Sequence, residues 1–542
     1  MNNSHPEHGG FALAEAVRAL YRQGQTDYSL EPVILVDHQD QPIGRIEAGD
    51  AVIFCCRRGD REIQLTEAFV EREFDRFPRR ELHDLTFVIL TLYHEKFKDL
   101  PVAFAPANIQ DTLGEVVSRA NLRQLRVAES EKFTHITFFL NGGSHQSFAG
   151  EEDVRVPSPK GIPFDQVPEL SLAQVVSQVL HGIDQQYDLI VTNFANGDVI
   201  GHTQNRQAKI RCAERVDTWL GQVVNAALAS DYVVLVTADH GNLEEMSNPD
   251  GTHHVAHTTN PVPFIIIDTR ASSPLKVQDG KLADIAPTIL HALNLDQPGG
   301  MDGASLTLGH TWGDRRRVLL IILDGWGIGK EDDTNPIFLG QTPTWDDLIR
   351  RYPYSRLQAS GEAVGLQPGK PGNSEAGHMN IGAGRVVSQD DVRLELAIQN
   401  GSFSTNETFR RTIEDVKQRE ASLHLIGLLT EKSSHGCIAY PLELMRMAKQ
   451  NGLEKVYLHV IFDGRSTEPG SAANLLERLE SQVEEIGVGQ IVSGIGRGFA
   501  LDRDGNYAKI QRAYDALVLG IGKSAPCVDG YRVTQPKKGG VS

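Results

Sequence analysis

A chain of 542 residues, 40% hydrophobic and 23% charged, has the make-up of a globular protein large enough for two or more domains. Its formal net charge of −18 argues against nucleic acid as the main partner and makes any local gathering of arginines a sign of an anionic ligand. No apolar run of about 18 residues is present, MNNSHPEHGG lacks the parts of a secretory signal, and five cysteines without a CxxC pair point to a reducing cytoplasm with no membrane partner.

Leu13, Val17, Leu20 and Tyr21 at helical spacing predict a helix after a polar start. Pro32–Asp37 reads as a strand, as does the beginning of Ala51–Leu65. Just beyond that second strand stand Arg57, Arg58 and Arg61, and guanidinium groups suit a two-point grip on carboxylate or phosphate. A solvated charged turn would look the same in isolation. Leu85–Leu92 is a further strand, and from about residue 107 strands and helices alternate. Ile136–Leu140 is expected to be a strand leading into Asn-Gly-Gly, with Lys132 shortly before it. Strand Tyr187–Phe194 leads to Asp198 and His202. Lys209–Leu228 reads as an amphipathic helix, strand Tyr232–Thr237 ends at Asp239 and His240, and His257 precedes strand Phe264–Ile267. This alternation predicts right-handed βαβ units and a mostly parallel sheet.

Residues 298–317 are rich in glycine and polar groups and read as a connector. Val318–Gly327, VLLIILDGWG, follows, with six apolar residues running straight into Asp324. Such a run reads as a strand buried on both faces, with its carboxylate at the sheet edge where open α/β folds bind ligands. After GKPGNSEAGHMNIGAGR (Gly369–Arg385) a second series begins, with strands Leu423–Leu429, Val456–Phe462 and Gln490–Ser493. They lead respectively to His435, to Arg465 and to Arg497 with Arg503. The last 20 residues read as a loose tail.

Asp198, His202, Asp239, His240, His257 and Asp324 make three carboxylates and three imidazoles at strand ends, a set suited to two divalent transition metals. Paired metals commonly serve phosphoryl transfer, holding the attacking and leaving oxygens together. Ser374 is the candidate nucleophile. Its place between a Pro/Gly turn and a helix is that of a helix N-cap, and it also aims a hydroxyl where backbone N–H groups accept phosphate. The arginines of the second series, with His435, suggest a small, multiply anionic substrate.

LDGWG, GNSEAGHMNIGAGR, ANGDVIGH, TADHGN, AHTTNPVP and the GR…LDR pair together resemble the cofactor-independent phosphoglycerate mutases of the alkaline-phosphatase-like superfamily, over roughly residues 12–520. The resemblance implies a three-layer, mostly parallel α/β dimetal domain at 107–388. It implies a second α/β domain, which binds substrate, made of residues 1–106 and 389–520, with 521–542 as the tail. It implies two Mn²⁺ or other divalent ions and no 2,3-bisphosphoglycerate. One ion would be held by Asp324, Ser374, Asp239 and His240, with Ser374 phosphorylated, and the other by Asp198, His202 and His257. His435, Arg465, Arg497, Arg503, Arg58, Arg61 and Lys132 would bind phosphoglycerate, in a monomeric, cytoplasmic enzyme that moves phosphate between the 2- and 3-hydroxyls. Two departures stand out. The motif order is rotated, as in a circular permutation, and Ser466 stands where the family carries an Asp after the DGR arginine. Glu431–Ser434 also lacks the usual glycines. A dimetal phosphohydrolase, or a mutase of another small phosphate ester, is the alternative expectation.

Overall fold

A computed structural model describes residues 8–57, 61–106, 109–270, 275–307, 309–433 and 435–527. The chain divides into two compact units, one made of residues 1–106 and 393–542 and the other of residues 107–392. Each is built on one eight-stranded, mostly parallel sheet. Among the described residues no helix is long and apolar enough to cross a membrane.

In the continuous unit the strand order is Gly280–Lys281, Tyr354–Gln358, Val262–Ile267, Tyr232–Thr237, Arg317–Leu323, Leu189–Phe194, Gln124–Glu129 and Glu151–Val156. Arg317–Leu323 lies at the centre, parallel to both neighbours. Every residue from Val318 to Leu323 is at most 1% exposed, as a strand covered on both faces requires. Burying six such side chains contributes on the order of 10 kcal/mol before chain entropy is subtracted. The register sets Leu323 beside Phe194 and Ile322 beside Thr237, so the three strands end together. With strands about 4.8 Å apart, residues just past these ends are neighbours in space.

One expectation changes here, and one strand of the mostly parallel sheet is reversed. Ile136–Leu140 is not a strand: His135–Phe139 is a π-helical turn, with the Leu140 N–H donating to the carbonyl of His135 at 3.0 Å. A five-residue apolar run has the composition of either element, and the edge positions beside it are taken by Gln124–Glu129 and Glu151–Val156, which the sequence reading passed over. The π-turn starts three residues after Lys132. The reversed strand is Val262–Ile267, which runs antiparallel to Tyr232–Thr237.

The discontinuous unit has the strand order Lys523–Pro526, Val33–Val36, Gln490–Gly496, Val456–Phe462, Leu423–Leu429, Ala51–Phe54, Thr86–Thr91 and Val102–Phe104. Both halves of the sequence contribute strands to this one sheet. The helix Gly10–Tyr21 buries Leu13, Val17 and Leu20, the spacing that predicted it. Lys523–Pro526 corrects the loose tail, because it pairs parallel with Val33–Val36 and is ordered by that ladder. Residues 528–542, the rest of the expected tail, lie outside the described residues.

Candidate metal and nucleophile centre

The six ligand candidates and Ser374 meet at the carboxyl edge of the continuous unit's sheet. Asp324 directly follows the central strand, and its N–H donates to the carbonyl of Phe194 at 3.1 Å. Asp239 and His240 follow Tyr232–Thr237 across one intervening residue. Asp198 lies in the short helix Asn196–Gly201, with His202 one turn later at its C-terminus. The chain turns away after Asp324 through Gly325, whose φ of 73° is left-handed. A Cβ there would stand 2.7 Å from the backbone nitrogen of Asp198, so only glycine allows the two ligand loops to touch.

Ser374 opens the helix Ser374–Ala383. The expected capping role falls to Asn373 instead, whose Oδ1 accepts from the Ala376 N–H at 2.8 Å. The Ser374 hydroxyl is therefore not spent on the helix. Its Oγ lies 2.6 Å from Lys132 Nζ, 2.9 Å from His240 Nε2 and 3.3 Å from Asp324 Oδ1. Lys132 Nζ also donates to Asp324 Oδ1 at 2.6 Å and Asp198 Oδ2 at 2.7 Å, so all three ammonium hydrogens are engaged. The structure thus sets Lys132 among the ligand candidates and beside the nucleophile.

His202 Nε2, His257 Nε2 and Asp198 Oδ1 form a triangle with sides of 3.1, 3.1 and 3.2 Å. The two rings donate their Nδ1 hydrogens to the carbonyls of Val255 and Gly372, each at 2.8 Å. That fixes the tautomer and turns three lone pairs toward one point, an arrangement that calls for a cation. A second group is His240 Nε2 with Asp239 Oδ2 at 3.4 Å and Asp324 Oδ1 at 3.5 Å. Asp239 Oδ2 is buried and has no well-aligned hydrogen bond of its own. Both donor sets fit divalent ions.

Burial alone would raise the Asp198 carboxyl, but Lys132, then His202, His257 and His240, hold it well below the usual carboxylate range. Asp239 is likewise buried and likewise held low, by His240, His378 and Lys132. Burial pushes His240 down, yet Asp239 together with Asp324 and Asp198 outweighs it and raises the imidazole to about 9. Lys132, also buried, is held protonated by Asp324, Asp198 and Asp239.

Four supporting residues escaped the sequence reading. Asn193 Nδ2 donates to Asp324 Oδ2 at 2.6 Å and stands 3.0 Å from His378 Nε2. The His378 Nδ1 hydrogen goes to the Ser374 carbonyl at 2.8 Å. Asn242 Nδ2 donates to Asp198 Oδ1 at 2.9 Å. The fourth, Glu244, is buried behind the ligand loops. A lone amide inside the apolar strand Leu189–Phe194, and a histidine four residues after Ser374, were the available signals.

In the discontinuous unit the expected anion-binding residues are partly used by the protein itself. His435 Nδ1 lies 3.2 Å from Glu62 Oε1. Arg61 is buried and donates to the Leu501 carbonyl at 3.0 Å. Arg497 is buried and paired with Asp463, with no hydrogen-bond partner for its Nε among the described residues. Asp463 Oδ2 accepts from the Ser466 N–H at 2.7 Å, leaving the Ser466 side chain exposed. Arg465 and Arg503 are exposed, and Arg58 lies outside the described residues.

A family model described as BPG-independent PGAM N-terminus matches residues 394–535. The chain is 45% identical over 300 residues to a 2,3-bisphosphoglycerate-independent phosphoglycerate mutase of Moorella thermoacetica, covering 55% of this chain and 58% of that one. It is 46% identical over 296 residues to the protein of the same name from Salinibacter ruber, covering 54% and 56%. The chain therefore spans less than two thirds of the length of these curated relatives. A solved Leishmania mexicana phosphoglycerate mutase structure overlaps 50% of this chain and 53% of its own at 27% identity and a TM-score of 0.39. The model of the metalloenzyme superfamily matches residues 9–297, more than half of the chain, and the protein belongs to that superfamily.

Proposed function

We propose that this protein interconverts 3- and 2-phosphoglycerate through a phosphoserine at Ser374, using two divalent ions and no 2,3-bisphosphoglycerate. The observation that carries it is the placement of Ser374 Oγ at a helix N-terminus, within reach of Lys132, His240 and Asp324. Asp324, Ser374, Asp239 and His240 would hold one ion, and Asp198, His202 and His257 the other, with Mn²⁺ as the ion we favour. Such ions supply positive charge to the attacking and leaving oxygens and lower the pKa of a hydroxyl. Lys132 Nζ donates to Ser374 Oγ and stabilises its anion, while Asp324 Oδ1 accepts the hydroxyl hydrogen. Ser374 Oγ then bonds to phosphorus as the substrate P–O bond breaks, and the departing glycerate oxygen takes up the proton held at Asp324 Oδ1. The phosphate rests at the start of Ser374–Ala383, where N–H groups favour anions. The second glycerate hydroxyl takes the phosphoryl group back as its proton passes to Asp324 Oδ1 and on to the freed Ser374 Oγ.

His435, Arg465, Arg497, Arg503, Arg58 and Arg61 would supply counter-charge to the substrate, with Ser466 beside them. Residues 107–388 would form the dimetal domain, and 12–106 with 389–520 the substrate domain. A match to the relatives' N-terminal segment at residues 394–535, after the superfamily match at 9–297, supports a circularly permuted order. The few cysteines, without a CxxC pair, support a cytoplasmic setting.

The test supplies 3-phosphoglycerate and Mn²⁺ without bisphosphoglycerate, and measures 2-phosphoglycerate, free phosphate and phosphorylation of the Ser374 peptide by mass spectrometry. Formation of 2-phosphoglycerate with transient label on Ser374 is expected. Release of free phosphate alone would make the protein a phosphohydrolase, and unlabelled Ser374 during turnover would remove it as nucleophile.

A further inference from the structure

Glu244 is 1% exposed and lies behind the ligand loops. Its Oε2 accepts from the backbone N–H groups of Asn242 at 2.8 Å and Gly327 at 3.1 Å. Its Oε1 accepts from Asn260 Nδ2 at 2.9 Å and from the Thr258 hydroxyl. These four donors fill the lone-pair capacity of a carboxylate. They also come from three loops, each carrying ligand candidates: Asn242 two residues after His240, Thr258 directly after His257, and Gly327 three residues after Asp324. These ligands lie beyond the named strand ladders, where the Gly241–Thr258 bridge and the bonds from the Asn242 and Leu243 N–H groups to the Gly325 carbonyl tie the loops pairwise, and the Glu244 carboxylate bonds to all three at once. The fit around Glu244 is close. A Cβ on Gly327 would stand 2.4 Å from its carboxyl carbon, and one on Gly241 2.4 Å from Oε1. Buried Lys209 reaches the same loops, donating to the His254 carbonyl at 2.7 Å beside the Val255 carbonyl that orients His202.

We infer that Glu244 is a positioning residue that ties the His240, His257 and Asp324 loops into one frame and so sets the distance between the two ion sites. This rests on the reading of the cluster as a two-metal centre. Neutralising Glu244 leaves its size unchanged but puts an amide N–H₂ against at least one hydrogen-bond donor. The loops then lose the one side chain that bonds to all three, while their pairwise backbone bonds and every ligand side chain remain.

Mn²⁺ titration of the metal-stripped full-length protein tests this, with calorimetry reading affinity and stoichiometry and electron paramagnetic resonance reading Mn–Mn coupling. In Glu244→Gln, Mn²⁺ affinity should fall about 10–100-fold, as for other groups that orient ligands, and the coupled-pair spectrum should weaken. Glu244→Asp, which keeps the charge, should retain more of both. Thr258→Val, which removes one donor, should weaken binding by less, and serves if Glu244→Gln does not fold. Wild-type affinity and coupling in Glu244→Gln, or in Thr258→Val in that case, would overturn the inference alone. A wild-type protein that binds no Mn²⁺ would overturn the two-metal reading as well.

Discussion

Lys132→Met removes the one ammonium that faces Asp198 and Asp324 and touches Ser374, while keeping a side chain of similar length. The Lys132 side chain is 6% exposed and those of Asp198 and Asp324 are 10% and 0%, so solvent does little to screen the loss. Removing one member of a buried ion pair costs about 3–5 kcal/mol, because the other charge stays buried and uncompensated. For a folded unit of this size each kcal/mol moves the melting temperature by about 2–4 °C, so the metal-free variant should melt roughly 6–20 °C below wild type. Divalent cations bound only by the native state return about 4 kcal/mol at a thousandfold excess over Kd. Because the cations also replace the positive charge that Lys132 supplies to Asp198 and Asp324, the variant gains more from them than wild type does, and the gap measured by calorimetry in Mn²⁺ should be smaller than the gap in chelator. Phosphorylation of Ser374 should also slow by about 10²–10³-fold, the usual cost of one lost donor to a developing oxyanion. A variant that melts within about 2 °C of wild type in chelator would refute the argument, since the two carboxylates would then be shown not to depend on Lys132.

Burial raises the carboxyl of Glu129 to about 7, above its usual value of 4.5, so stability is lost as pH rises through that interval. Glu129→Gln should therefore stabilise the protein above pH 7, by on the order of 3 kcal/mol, and change little at pH 4.5; equal shifts in urea denaturation at both pH values would contradict this. His240, raised to about 9, is protonated at neutral pH in the metal-free protein, and a ligating imidazole is not. Mn²⁺ uptake near pH 7.5 should thus release a proton, read as a dependence of binding heat on buffer ionisation enthalpy; heats independent of buffer would exclude His240 as a ligand. In the metal-free protein the same raised value gives stability that is fully present below pH 6.5 and lost as pH rises through 9. Ser466→Asp should raise the ratio of 2-phosphoglycerate formed to phosphate released, with melting temperature unchanged. An unchanged ratio would show that residue 466 takes no part in returning the phosphoryl group.

The candidate ligand cluster was legible because its residues stand just after, or for His257 just before, strands whose apolar runs are unambiguous. Val318–Leu323 and Tyr232–Thr237 are covered on both faces, and no helix of that length competes with them. Legibility failed where composition and placement part company. Ile136–Leu140 is rich in aromatic and branched residues yet forms a π-turn, with only Ile136 and Leu140 fully buried. Gln124–Glu129 is a buried strand despite three polar residues, and Arg126 within it is fully buried against Gln124. The arginines were visible as residues, but not in their engagement. Nothing in RRGDR distinguishes a guanidinium facing solvent from one donating to the Leu501 carbonyl, as Arg61 does.

The two units differ in how their site residues are held. In the continuous unit each imidazole of the His202–His257 pair is oriented by a main-chain carbonyl, so the ligand set survives any change in the residues that supply those carbonyls. In the discontinuous unit Asp463 does the orienting, gripping Arg497 through one oxygen and the Ser466 N–H through the other. The grip on residue 466 is to its backbone. The loop therefore keeps its shape whichever side chain stands there, and exchange of a carboxylate for a hydroxyl alters chemistry at that exposed position without a packing penalty. Mutation at Asp463 acts differently, because it frees a buried guanidinium and the 466 backbone together. Residue 466 can thus change while the fold stays fixed, whereas change at Asp463 is opposed by stability.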